Sequence, residues 1–140
     1  MTRQPDSGAL SLQAKLRLVT EIVAAYGRVR WWLSRGTVPE TVARIRRRGR
    51  RSHAAPSVGQ GAAVRLARVV GRTLDPLPAD SRCLMRSLVL TTLLSHRGID
   101  STLVIGTRSV PDFAAHAWVE VDGRAVLPDG GGEYGRLVEI

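Results

Sequence analysis

The apolar residues of the first third of the chain recur at helical spacing. Between positions 10 and 33, charged residues alternate with apolar ones at Leu12, Leu16, Val19, Val23 and Tyr26. This period predicts an amphipathic helix that packs on the rest of the protein. The pair Trp31–Trp32 near its end leaves a second interpretation open, a docking face for a partner. A second helix is predicted for Pro39–Arg48, because proline suits the first turn of a helix.

An arginine-rich stretch follows these two segments. Residues 44–61 read RIRRRGRRSHAAPSVGQG, with five arginines between positions 46 and 51. Arginine, glycine, serine and proline at this density predict a solvated connector. We therefore divide the chain into residues 1–55, the N-terminal helices with their connector, and residues 56–140, the core.

The most apolar segment predicts a buried helix. A helix over residues 62–74 precedes it, and then Asp80 or Ser81 is placed to cap a helix that runs to Arg97 and ends at Gly98. Its apolar residues lie on nearly all sides: Leu84, Met85, Leu88, Val89, Leu90, Leu93 and Leu94. Such a helix is buried on several faces, so we expect it at the centre of the domain.

Beyond Gly98 the hydrophobic period changes to that of β-strands. Residues 101–108 and 113–121 are each predicted to form a strand, and Asp122–Gly123 predicts a tight turn into the segment RAVLPD. The final residues, GGGEYGRLVEI, predict a loop and a last strand. Helices followed by an antiparallel sheet indicate an α+β fold.

Length, charge and cysteine content narrow the class of protein. The 140 residues suffice for one domain, a single cysteine forms no internal disulfide, and no segment is apolar enough to span a membrane. We expect a cytoplasmic protein. The net charge of +9 favours acidic partners. Only 4% of the residues are aromatic and no basic stretch is interleaved with them, so nucleic-acid binding is not expected as the main function.

The single cysteine, Cys83, lies in the first turn of the predicted central helix. Unpaired N–H groups and the helix dipole favour a negative charge there, and a thiolate would be stabilised. A buried structural cysteine explains the same position. Placement alone leaves both interpretations open.

A nucleophilic thiol needs a base, and the chain has three histidines. His96 is predicted at the far end of the same helix, about 20 Å from Cys83 at the standard rise per residue. His53 falls in the connector. His116 lies in the second strand and is our candidate for the base, with a buried core histidine as the alternative.

The predicted hairpin suggests which carboxylate orients this imidazole. If Asp122–Gly123 form the turn, His116 pairs with Asp129 on one face of the sheet. A carboxylate there would hold the imidazolium, as the third member of a Cys-His-Asp relay. A bulge would turn Asp129 to the other face. The competing carboxylates are Asp112, Glu120 and Asp122.

Two motifs taken together resemble a known family. CLMRSLVLTTLLSHRGIDSTLVIGT, followed by AHAWVEVDGRAVL, is similar to the transglutaminase-like cysteine peptidases of lasso peptide biosynthesis. These correspond to the peptidase half of the maturation B protein, encoded as a separate chain. The similarity runs over residues 62–126, and the pairing of C-L-x-R-S-L with A-H-A-W-V-E is its specific part.

The resemblance implies a transglutaminase/papain-like core and a peptidase with the triad Cys83, His116 and Asp129. Such an enzyme removes the leader from a lasso precursor peptide through a thioester. It also implies a separate leader-recognition protein, because no leader-binding domain is expected in this chain, and an ATP-dependent cyclase. We expect no cofactor and no bound metal. Acyl transfer to an amine, or a non-enzymatic arginine-rich binding module, are the alternatives.

Overall fold

The computed structural model describes residues 11–51, 60–76, 82–128 and 131–140. Within them, four helices precede one antiparallel sheet, which confirms the predicted α+β class. The elements are α1 (Leu12–Leu33), α2 (Val38–Arg51), α3 (Gln60–Leu74), α4 (Arg82–His96), β1 (Thr102–Arg108), β2 (Ala114–Val121), β3 (Arg124–Ala125) and β4 (Gly135–Glu139).

Helix α1 forms where predicted. The apolar residues that it buries, however, are not the ones on which the prediction was based. Ser11 caps its start by accepting a hydrogen bond from the backbone N–H of Ala14. The buried residues are Ile22, Ala25, Val29 and Trp32. The exposed ones include Leu12, Leu16, Val19, Val23 and Trp31. Both stripes have helical spacing, and contact with α4 selects the first.

Helix α2 continues through the first half of the predicted connector. Residues 44–51 are helical. This confirms the helix predicted for Pro39–Arg48, and the overlapping connector prediction is wrong for these residues. The reason is burial, because Ile45 is only 1% exposed and Gly49 lies against α4. A Cβ atom at Gly49 would lie 2.8 Å from the backbone oxygen of Ser95. The remainder of that stretch, residues 52–59, lies outside the described residues.

Helix α4 is the centre of the fold, as predicted. It contacts α1, α2, α3, β1 and β2. Its buried hydroxyl groups are satisfied within the helix, because Ser87, Thr91 and Thr92 each donate to the carbonyl four residues earlier. Gly98, with φ of 70°, closes the segment after its last turn. The two predicted capping residues, Asp80 and Ser81, lie outside the described residues.

The sheet has the strand order β3-β2-β1-β4. The predicted hairpin is confirmed, because Val121 pairs with Arg124 across a turn in which Asp122 and Gly123 both have positive φ. Strand β3 is shorter than the predicted segment RAVLPD and ends at Ala125. One further ladder bond follows, from the N–H of Val126 to the oxygen of Val119. The next residue, Leu127, is buried.

Candidate active site

Cys83 lies in the first turn of α4, half-buried and with a free thiol. Arg82 on the same turn and Arg86 one turn further along flank it, and both pair with a carboxylate that directly follows α3. The Asp75 oxygen lies 2.8 Å from Arg86 and 3.7 Å from Arg82. The start of α4 therefore presents a cysteine beside a positively charged but partly neutralised surface.

His116 lies on β2 and is held from three directions. Its Nε2 atom is 2.6 Å from the backbone oxygen of Pro128. The ring stacks on Trp118 at a centroid distance of 5.9 Å, and Tyr134 lies against it at 5.2 Å. A carbonyl oxygen only accepts, so Nε2 carries the proton. In the neutral ring, Nδ1 is then the nitrogen that accepts a proton.

The partner of the imidazole is therefore a carbonyl group that the sequence pattern did not identify. Register predicted Asp129 opposite His116, and Asp129 lies outside the described residues. The residue just before it, Pro128, makes the contact through its backbone. One signal was present in the sequence: a proline has no N–H for a ladder, so pairing ends near it and its carbonyl is free to bind a side chain.

The competing carboxylates serve other purposes. Glu120 accepts two hydrogen bonds from Arg136, at 2.8 and 2.9 Å, and a third from the indole N–H of Trp118. The bonds from Arg136 hold the pKa of Glu120 below its ordinary value. Asp122 forms the hairpin turn, and Asp112 is exposed. In the described part of the chain, no carboxylate is hydrogen-bonded to His116.

The other histidine among the described residues, His96, does not belong to this region. His96 lies in the last turn of α4, at the opposite end from Cys83, as predicted. Burial there lowers its pKa. His53 lies outside the described residues.

A groove connects the start of α4 with the segment that holds the imidazole. It has a volume of about 460 Å³, and its lining includes Arg86 and Pro128. Arg86 lies one helical turn beyond Cys83, and Pro128 is the partner of His116. Cys83 and His116 are therefore each a neighbour of a residue that lines this groove. Cys83 lies on α4 and His116 on β2, and these two elements pack together.

The residues described contain no cluster of three His, Cys, Asp or Glu side chains able to hold a metal ion. None of the helices described is long and apolar enough to cross a bilayer.

Comparison with known proteins identifies the family. The family model of the transglutaminase-like superfamily matches residues 18–140, and the chain therefore belongs to this superfamily. The match begins within α1, so it includes the N-terminal helices.

A curated relative adds a more specific likeness. Over 46 residues the chain is 48% identical to the microcin J25-processing protein McjB of Escherichia coli. The matched stretch covers 33% of this chain and 22% of that protein. These matches confirm the resemblance to the transglutaminase-like proteins of lasso peptide maturation. No solved structure is significantly similar to this chain.

Proposed function

We propose that this protein is a cysteine peptidase that removes the leader from a ribosomally synthesised lasso precursor peptide. A separate leader-recognition protein and a cyclase would be its partners. Membership of the transglutaminase-like superfamily supports the reaction class, and the likeness to a microcin J25-processing protein supports the peptide substrate. The observation that carries the proposal is the hydrogen bond between His116 Nε2 and Pro128, because it leaves Nδ1 as the base.

In the proposed mechanism, His116 Nδ1 takes the proton of the Cys83 thiol. The thiolate attacks the carbonyl carbon of the scissile peptide bond, and a carbon–sulfur bond forms. Backbone N–H groups at the start of α4 would stabilise the oxyanion. The carbon–nitrogen bond then breaks as the imidazolium gives its proton to the departing amine. Water hydrolyses the thioester and releases the leader.

Asp129 is the residue that we propose as the third member of the triad. We keep Asp129 for this role, because it is bonded directly to the carbonyl that contacts the imidazole. If the charge of Asp129 stabilises the imidazolium, Asp129→Ala lowers kcat by up to about 10⁴-fold, the loss found when the orienting aspartate of a Ser-His-Asp triad is replaced. A loss below tenfold would instead assign the orienting function to the Pro128 carbonyl alone.

The decisive variants are Cys83→Ala and His116→Ala, with His96→Ala as the matched histidine control. Each purified variant is incubated with the precursor peptide and the recognition protein, and the masses of the products are measured by mass spectrometry. We expect no leader removal by either of the first two variants and normal removal by the control. Far-UV circular dichroism should show the same fold in all three. Full cleavage by Cys83→Ala or His116→Ala would refute the assignment.

Acyl transfer to an amine is the second candidate, and membership of the transglutaminase-like superfamily is the observation that favours it. Both reactions share the thioester, so the products distinguish them. In the presence of a primary amine, a peptidase releases the leader as a free acid, and a transferase releases it as an amide of the added amine.

A further inference from the structure

One face of α3 forms a wall of the groove that runs past the candidate active site. Its residues recur at helical spacing and comprise Val64, Ala67, Arg68, Gly71 and Arg72, and Asp75 follows directly after the helix. The other wall is the segment 126–128 that follows the hairpin, together with Arg86. A volume of about 460 Å³ lies in the range of pockets that bind small ligands.

The groove has unpaired positive charge on one rim. Arg68 and Arg72 are exposed, and neither has an ion-pair partner within the described part of the chain. The one acidic lining residue described, Asp75, is already paired with Arg86 at 2.8 Å. Four residues of helix place the two rim arginines about 6 Å apart along the axis. Alternate residues of an extended peptide are separated by nearly the same distance, about 6.6 Å.

The buried residues of the two walls form the floor of the groove, which is apolar. Ala67 is 3% exposed, and Val126 and Leu127 are each 9% exposed. At Gly71, an added Cβ atom would meet nothing within 4 Å, so the backbone of a bound chain has room to approach the helix. None of the described lining residues is aromatic. Nucleic-acid bases need aromatic side chains for stacking, so this lining suits a peptide better.

We propose that this groove binds an extended peptide segment that carries acidic side chains among apolar ones. Arg68 and Arg72 pair with two carboxylates, the apolar floor contacts the intervening side chains, and Gly71 admits the peptide backbone. This proposal rests on the proposed function in one respect: the bound segment is part of the peptide substrate.

Binding is tested separately from cleavage, on the full-length Cys83→Ala variant. The probes are two peptides with blocked ends, Gly-Leu-Glu-Val-Glu-Leu-Gly and the same sequence with Gln in place of each Glu. Isothermal titration calorimetry at low salt should give a Kd about tenfold lower for the Glu peptide, the scale expected from two partly exposed ion pairs. Added salt should reduce this preference, because it screens exposed charges.

Two pairs of variants locate the site. Arg68→Glu with Arg72→Glu should abolish the preference for the Glu peptide. The matched control, Arg44→Glu with Arg48→Glu, changes two exposed arginines of the same spacing on α2 and should keep it.

Gly71→Phe should weaken binding of both peptides. Gly27→Phe is its control, because Gly27 is an exposed helical glycine on α1 whose added Cβ would likewise meet nothing within 4 Å. Unfolding by urea should be alike in the two phenylalanine variants.

Three results would overturn the proposal: equal affinity for the two peptides, a preference that survives in the Arg68/Arg72 variant, or no binding of either peptide up to about 1 mM. Tighter binding of a short oligothymidylate, lost in the same variant, would also overturn it in favour of a nucleic-acid site. If the peptide preference is found but the wild-type protein cleaves no precursor, the groove assignment stands and the peptidase assignment fails.

Discussion

Gly106→Ala tests how tightly the imidazole is held. Gly106 pairs with His116 across β1 and β2. A Cβ atom at Gly106 would lie 2.9 Å from two atoms of the Trp118 ring and 2.9 Å from Cβ of Tyr134. These are the two aromatic side chains that pack on the His116 ring. The substitution therefore perturbs the surroundings of the imidazole without touching its hydrogen bond.

The expected cost follows from these distances. Carbon atoms normally touch at about 3.5 Å or more, so the neighbours must move by about 0.6 Å. Neither moves freely, because Trp118 is 3% exposed and its indole N–H is bonded to Glu120, and the Tyr134 atom adjoins the backbone. Overpacking of this kind costs about 1–3 kcal/mol. For a chain of this size we expect Tm to fall by roughly 3–10 °C.

Urea unfolding followed by tryptophan fluorescence measures the stability, and precursor cleavage measures the displacement of His116. The control is Gly27→Ala, which adds a methyl group in open space on α1 and should stabilise the helix by about 0.5–1 kcal/mol. If Gly106→Ala were as stable and as active as the wild type, the packing of Trp118 and Tyr134 would not hold the imidazole as we describe.

Two further substitutions test the fold, one at the end of α4 opposite Cys83 and one in the sheet. Gly49→Ala should lower the free energy of unfolding by about 1–3 kcal/mol, because the methyl group would lie 2.8 Å from the Ser95 backbone oxygen. This cost exceeds the gain from the higher helix propensity of alanine. A variant at least as stable to urea as the wild type would contradict this. Arg136 holds the pKa of Glu120 below 4.5, so this carboxylate stabilises the fold above that pH and the contribution is lost as the pH falls through the lowered value. Glu120→Gln should reduce the fall in Tm between neutral and acidic pH, and an unchanged pH profile would contradict the linkage.

Turn chemistry explains why the hairpin was predictable from the sequence. Asp122–Gly123 is a two-residue turn that needs positive φ at both positions, and it determines the register of Val121 with Arg124. The partner of His116 was not predictable by the same reasoning. The ladder ends beyond Val126, and where the backbone runs after that point depends on tertiary packing.

In the helices, too, the local sequence pattern did not predict which residues are buried. Periodicity identified α1 but could not choose between its two apolar stripes, because burial depends on contact with α4. Arginine density suggested a connector where α2 continues to Arg51. Ile45 of that helix packs inward and Arg46 donates a hydrogen bond to the Ser101 carbonyl, while other described arginines, such as Arg47, are exposed. Composition alone does not distinguish such a helix from a connector.

The central claim is that the Cys83 sulfur forms a thioester with the leader, and intact-protein mass spectrometry tests it most directly. The protein, the precursor and the recognition protein are mixed and quenched in acid within the first turnover. We predict a mass increase equal to the leader less one water, located on Cys83 by peptide mapping and absent after treatment with hydroxylamine. The account would be contradicted if the wild-type protein removed the leader completely without forming this adduct at any time, and if Cys83→Ala removed the leader equally well.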